Sequence, residues 1–181
     1  MSRIFFALTL PEEIRANLLA LRRRLALAPG AVKWVESENL HLTLYFIGDV
    51  DKSRMPQLLQ RAAAAAADSL KFTVSVRGVG VFPTINRPRV LWAGVEEGQS
   101  EIIKLAHALN KSFGNTQRQS FSPHITIGRI RPGKQINIKP FLLQEAQFYA
   151  GTFKVSSFTC FASTLTRQGP VYRVIKEILL S

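Results

Sequence analysis

A chain of 181 residues that is 46% hydrophobic and 20% charged can bury a sizeable core and is not the composition of a disordered segment. Its 24 Lys and Arg against 12 Asp and Glu give a formal net charge of +12, which favours a polyanionic partner, nucleic acid or a nucleotide, over a surface that is basic only for solubility. One cysteine rules out an internal disulfide and a cysteine-built zinc site, and no apolar run is long enough to span a membrane.

Residues 3–10 form an apolar run followed by Pro11-Glu12-Glu13 with no small-residue cleavage site, so they read as a first strand rather than a leader. Proline at an early helical position and two acids at the positive end of the dipole open a helix. Ile14, Leu18, Leu21 and Leu25 recur at helical spacing as its core face, leaving Arg15, Arg22 and Arg23 on a solvated side. Pro29-Gly30 breaks it. Residues 32–35 predict a short strand, 36–39 a turn, and the strand that follows ends near residues 48–51. A helix is predicted over about 53–68, with the alanines at 62–67 its strongest helix formers.

Residues 71–82 alternate, with Phe72, Val74 and Val76 on one face and Thr73, Ser75 and Arg77 on the other, which predicts a half-exposed strand. Residues 83–89 predict a loop carrying Arg87 and Arg89, and 90–95 the partner strand, so the pair forms a hairpin with a basic tip suited to meeting phosphates or stacking bases. Residues 99–113 make an amphipathic helix with Ile102, Leu105, Ala106, Leu109 and Phe113 inward; His107 shares the polar stripe with Lys104 and Lys111. Residues 114–119 are a polar loop, 131–134 a turn, and 135–145 carry no clear signal. Strands are predicted over 147–155, 157–165 and 171–178. Cys160 lies in an apolar strand-like run, where it serves as a small buried hydrophobe in a reducing compartment, taken to be the cytoplasm. The interleaving with hairpin-length connections predicts an α+β chain with mostly antiparallel sheets.

One short pattern occurs twice. His41-Leu42-Thr43-Leu44 and His124-Ile125-Thr126-Ile127 both read His, apolar, Thr, apolar, and only one other histidine exists. In an extended strand His and Thr share one face while the aliphatic residues enter the core. A separation of 83 residues, nearly half the chain, suggests two similar lobes that each contribute half of one site.

Two imidazoles across a cleft suit displacement at phosphorus, one taking a proton from the attacking oxygen and the other giving one to the leaving oxygen. An unperturbed pKa of about 6.5 makes both protonation states available near neutrality. Each threonine hydroxyl is placed to donate to a non-bridging phosphate oxygen as charge builds there. The scheme needs no metal and predicts a bell-shaped pH–rate profile.

These residues resemble the 2H phosphoesterases, whose signature is two copies of His-x-Thr-x with apolar x, and within them the bacterial RNA 2′,3′-cyclic phosphodiesterases, also called 2′-5′ RNA ligases. The likeness extends to Phe5-Phe6-Ala7-Leu8, Val32-Lys33-Trp34-Val35, Val81-Phe82-Pro83, Pro88-Arg89-Val90-Leu91-Trp92 and Phe121-Ser122-Pro123 before the second motif. The resemblance implies one catalytic domain over 1–181, bilobal and pseudo-two-fold, with two mostly antiparallel sheets lining a central groove and helices packed outside. It implies hydrolysis of an RNA 2′,3′-cyclic phosphate to a 2′-phosphate, with ATP-independent 2′,5′ joining in some members. It makes His41 the proton donor to the leaving 3′ oxygen, His124 the base that activates water, and Thr43 and Thr126 the phosphate-binding residues. No cofactor, obligate protein partner or membrane is implied, and a monomer is the default.

Arg129 matches a basic residue that follows the family's second motif, yet strict alternation puts it on the opposite face from His124, so it reaches a groove only if the strand bulges near Gly128. Phe46 and Phe82 are candidates to stack on a base, with core positions the favoured reading for both, and Arg89 is a further substrate-binding candidate. Competing readings are a non-catalytic module that grips RNA ends, a phosphoesterase of small cyclic nucleotides, and a metal-dependent hydrolase, which lacks a carboxylate partner in either motif.

Overall fold

The computed structural model describes residues 2–25, 30–114, 121–167 and 169–181. Its elements are β1 (Ser2–Thr9), α1 (Glu12–Arg24), β2 (Val32–Trp34), β3 (His41–Val50), α2 (Met55–Ala67), β4 (Phe72–Thr84), β5 (Arg87–Val95), α3 (Gln99–Ser112), β6 (His124–Ile130), α4 (Lys139–Gln144), β7 (Tyr149–Val155), β8 (Ser157–Leu165) and β9 (Pro170–Leu179). The strands hydrogen-bond in the order β7-β4-β5-β6-β3-β1-β8-β9, with β2 also on β6. Every pair is antiparallel.

Two four-strand halves make up this path, β7-β4-β5-β6 and β3-β1-β8-β9. They meet at one backbone pair, Leu42 with Ile125. An antiparallel pair has a local two-fold axis at its centre, and here the paired residues hold the same place in their motifs. Rotation about that axis therefore carries His41 onto His124 and Thr43 onto Thr126. The repeat in the sequence and the symmetry of the sheet are one fact.

The core lies on the aliphatic side of the motif strands. Leu42, Leu44, Ile125 and Ile127 are all buried there, as are Ile14, Leu18 and Leu21 of α1 and Ile102, Leu105 and Leu109 of α3. Helices α2 and α3 pack on each other, α3 covers β3, and α1 covers β7. At the end of α1, Arg24 grips buried Glu145 through two 2.8 Å hydrogen bonds, which ties that helix to the turn after α4 and holds the carboxyl below its usual range.

Strand β3 ends at Val50, within the predicted 48–51, with bulges that let it follow β1 past the motif. Other local expectations need correction. The loop over 83–89 contracts to Ile85 and Asn86, since β4 continues to Thr84 and β5 begins at Arg87. Ser75 is buried rather than half-exposed: its hydroxyl accepts from the Glu97 N–H at 2.8 Å, pinning the entry to α3. Residues 135–145 contain α4. Most of the predicted loop over 114–119, and Pro29, lie outside the described residues.

Candidate active site

The open face of the motif strands lines a groove of about 510 Å³ that holds His41, Thr43, His124, Thr126 and Arg129. The two imidazoles are fixed by the same device. His41 Nδ1–H donates to the Asn39 carbonyl at 2.7 Å, and His124 Nδ1–H donates to the Ser122 carbonyl at 2.8 Å, two residues back in each case. Since a carbonyl only accepts, Nδ1 carries the proton in both rings and Nε2 is left facing the groove. Nε2 of His41 lies 3.1 Å from the Thr43 hydroxyl.

The walls around the two rings differ. His41 sits between Phe5, at 5.1 Å between ring centroids, and Tyr172, edge-on at 5.3 Å. His124 has Phe82 edge-on at 5.0 Å, backed by Trp92. Burial holds His41 below the ordinary imidazole range; the Asn39 carbonyl opposes that shift, and the charges of His124 and Arg129 reinforce it. The Tyr172 hydroxyl is pushed up by burial, with Arg129 pulling the other way, so it stays a neutral phenol. Asn39 Nδ2–H also donates to the Pro170 carbonyl at 3.0 Å and binds the first motif to the start of β9.

Arg129 reaches the groove by a bulge. In the pairing of β6 with β5, Gly128 faces Leu91 and Thr126 faces Trp92, so Ile127 is the extra residue. Ile127 and Gly128 are consecutively buried, the phase flips, and Arg129 emerges on the histidine face. Strand β3 does the same at the equivalent place. Tyr45 faces Phe6 and Thr43 faces Ala7, so Leu44 is extra, and Phe46 returns to the groove face. Leu44 and Ile127 correspond under the two-fold, as do Phe46 and Arg129.

This corrects the expectation for Phe46, which is 55% exposed and lines the groove instead of the core. Phe82 is partly buried, its ring engaged by His124 and Trp92. Arg89 does not line this groove; it lies with Arg87 in a second one beside the β4–β5 hairpin. His107 is exposed on α3 and Cys160 is fully buried, its thiol pushed up to about 12. Sequence reasoning missed Phe5, Tyr172 and Lys33 as groove residues. Phe5 and Tyr172 sit on strands with no motif of their own, whereas the Asn39 and Ser122 carbonyls were findable as the positions two before each histidine.

Among the described residues no group of three or more His, Cys, Asp or Glu side chains is placed to share a metal ion, and no helix is long and apolar enough to cross a membrane.

Two histidines and two threonines related by an axis, on strands that bulge alike, define a phosphoesterase-type site. A sequence model of the family described as LigT like Phosphoesterase matches residues 8–92 and 94–172, one motif in each span. The RNA 2′,3′-cyclic phosphodiesterase of Aquifex aeolicus is 35% identical over 82% of this chain and 81% of its own. That of Aeropyrum pernix is 35% identical over 90% of this chain and 94% of its own. The crystal structure of TT0787 of Thermus thermophilus superposes with a TM-score of 0.83 at 28% identity, covering 98% of this chain and 97% of its own. Escherichia coli LigT complexed with 3′-AMP gives 0.78 at 29% identity, covering 99% and 98%. The chain belongs to the LigT-like family of 2H phosphoesterases.

Proposed function

We propose that residues 1–181 form a single catalytic domain that hydrolyses RNA 2′,3′-cyclic phosphate ends to 2′-phosphomonoesters, with His41 as general acid and His124 as general base. The observation that carries this reading is the pair of imidazoles turned Nε2-first into one groove by matching carbonyl anchors. The names of the relatives and the nucleotide bound by Escherichia coli LigT support it.

His124 already has the tautomer of a base: with Nδ1–H on the Ser122 carbonyl, the Nε2 lone pair takes a proton from water as its oxygen attacks phosphorus. The bond from phosphorus to the 3′ oxygen breaks, and His41 Nε2–H delivers a proton to that oxygen. The phosphate stays on the 2′ oxygen. Donation requires His41 to be protonated, although burial of the ring disfavours it. The cyclic phosphate supplies the missing condition, since an anion beside the ring raises its pKa and substrate binding loads the acid. Thr43 and Thr126 donate to the non-bridging oxygens, Arg129 offsets their charge, and Phe46 provides an exposed face for a base. The same course with an RNA 5′-hydroxyl attacking in place of water would join RNA ends through a 2′,5′ linkage without ATP.

The reading extends to a monomer acting in the cytoplasm, supported by the lone, buried Cys160 thiol. The deciding assay is turnover of a short RNA ending in a 2′,3′-cyclic phosphate, with EDTA present. Wild type should form the 2′-phosphate, and His41→Ala and His124→Ala should each lose a factor of about 10² to 10⁴. Activity retained in both variants would sink the assignment.

A further inference from the structure

A second groove of about 600 Å³ lies beyond the first, between the β4–β5 hairpin and the turn after β6. Arg87, Arg89, Arg131 and Lys134 line it, no acidic residue does, and all four cations are exposed. None of them takes part in an ion pair among the described residues. The first groove is different: it contains Glu36 and Glu38 alongside Lys33 and Arg129. Unpaired cations around a concavity form a site for a polyanion.

The two grooves share a strand face. After the bulge at Ile127, Arg129 points into the first groove, and the ladder continues past Ile130 because the Arg131 N–H donates to the Ala31 carbonyl at 2.9 Å. Period two then places Arg131 on the same side as Arg129. A line of polar groups, His124, Thr126 and Arg129 on β6 and Arg131 just past its end, runs from one groove to the other. His124 and Arg131 are seven residues apart, about 20 Å along an extended strand.

We infer that the second groove binds the phosphate backbone of the RNA upstream of the reacting end. The inference rests on the proposed function for the first groove. An RNA ending in a cyclic phosphate has chain on one side of that phosphate only, and about 20 Å corresponds to about six nucleotides at the ~3.4 Å rise of a stacked strand. A dinucleotide does not reach. A longer RNA does, and gains contacts that are electrostatic and indifferent to sequence.

The test compares a dinucleotide and a ten-nucleotide single strand, both ending in a 2′,3′-cyclic phosphate, for wild type and the triple variant Arg87→Gln, Arg131→Gln, Lys134→Gln. Loss of three phosphate contacts should flatten the decamer's log–log salt dependence of kcat/KM by about 2, a difference of about 15-fold between 50 and 200 mM salt. Dinucleotide turnover should be unchanged, which also shows that the variant folds. Equal salt slopes for the two RNAs in wild type, or a decamer slope that survives in the variant, would overturn the inference. Equilibrium binding of a decamer ending in a 3′-phosphate separates the two readings. If wild type turns over neither RNA, a binding slope that drops by about 2 in the variant supports the second groove while the catalytic reading falls; an unchanged slope overturns the groove as well.

Discussion

His41 is the residue whose surroundings matter most. Its folded pKa lies below the unfolded imidazole value, so the sign of its linkage to stability is fixed. Above about pH 6.5 both folded and unfolded states hold a neutral ring, and it contributes nothing. As pH falls below that value the unfolded chain binds a proton that the folded one resists, and stability declines until the folded ring titrates too. Urea unfolding at pH 7.5 and pH 5 should therefore show a smaller acid loss for His41→Gln than for wild type; an equal loss would mean the ring is not held neutral. Phe46 is the complementary case. It is largely exposed, so Phe46→Ala should leave the melting temperature nearly unchanged. Losing a base-stacking face is worth ~1–3 kcal/mol, so KM should rise about 10-fold with kcat nearly intact. Steady-state kinetics on a short RNA reads this directly.

At the scale of elements, the bulges explain what could be read from the sequence and what could not. His41, Thr43, His124 and Thr126 were legible because a two-residue period holds over the four positions of each motif. Phe46 and Arg129 lie five positions past their histidines, one bulge further on, and a bulge leaves no compositional mark on Leu44 or Ile127. Gly128 was the one hint. A Cβ there would sit 2.7 Å from Val32 Cγ1 and 2.9 Å from Trp34 Cε3, so only glycine lets β2 lie this close to β6. Gly128→Ala must push a packed ring aside, and it should cost about 1–3 kcal/mol of unfolding free energy by denaturant titration. Helices α1, α2 and α3 were legible because their apolar stripes are long enough to average over boundary error, whereas six-residue α4 is too short to show one. Ser75 misled because the hydroxyl that marked an exposed face in the sequence is satisfied internally by the Glu97 N–H.

Across the whole molecule, the two halves of the sheet depend on Leu42 and Ile125, both fully buried. Leu42→Ala should lower stability by about 2–5 kcal/mol in urea titration. Because the same pair sets the spacing of the two motif strands, the folded variant should also lose kcat at low temperature, where unfolding is not the cause. The two-lobed plan was visible in the motif spacing. The single seam joining the lobes was not, since a paired aliphatic residue looks like any other in a strand.

A site with a two-fold axis through its middle has no built-in direction. His41 and His124, Thr43 and Thr126, and their carbonyl anchors interchange on rotation, so a phosphate entering either way round meets the same four groups. The sense of reading must come from positions where the halves disagree: the aromatic walls of the two rings, and the position five past each histidine, where Phe46 stands opposite its counterpart Arg129. An aromatic face on one side and a fixed cation on the other act like the keyed end of a symmetric connector: under the proposed function, the first would accept the nucleobase and the second the phosphate. Under the proposed function, the assignment of acid and base would thus be written beside the histidines rather than in them.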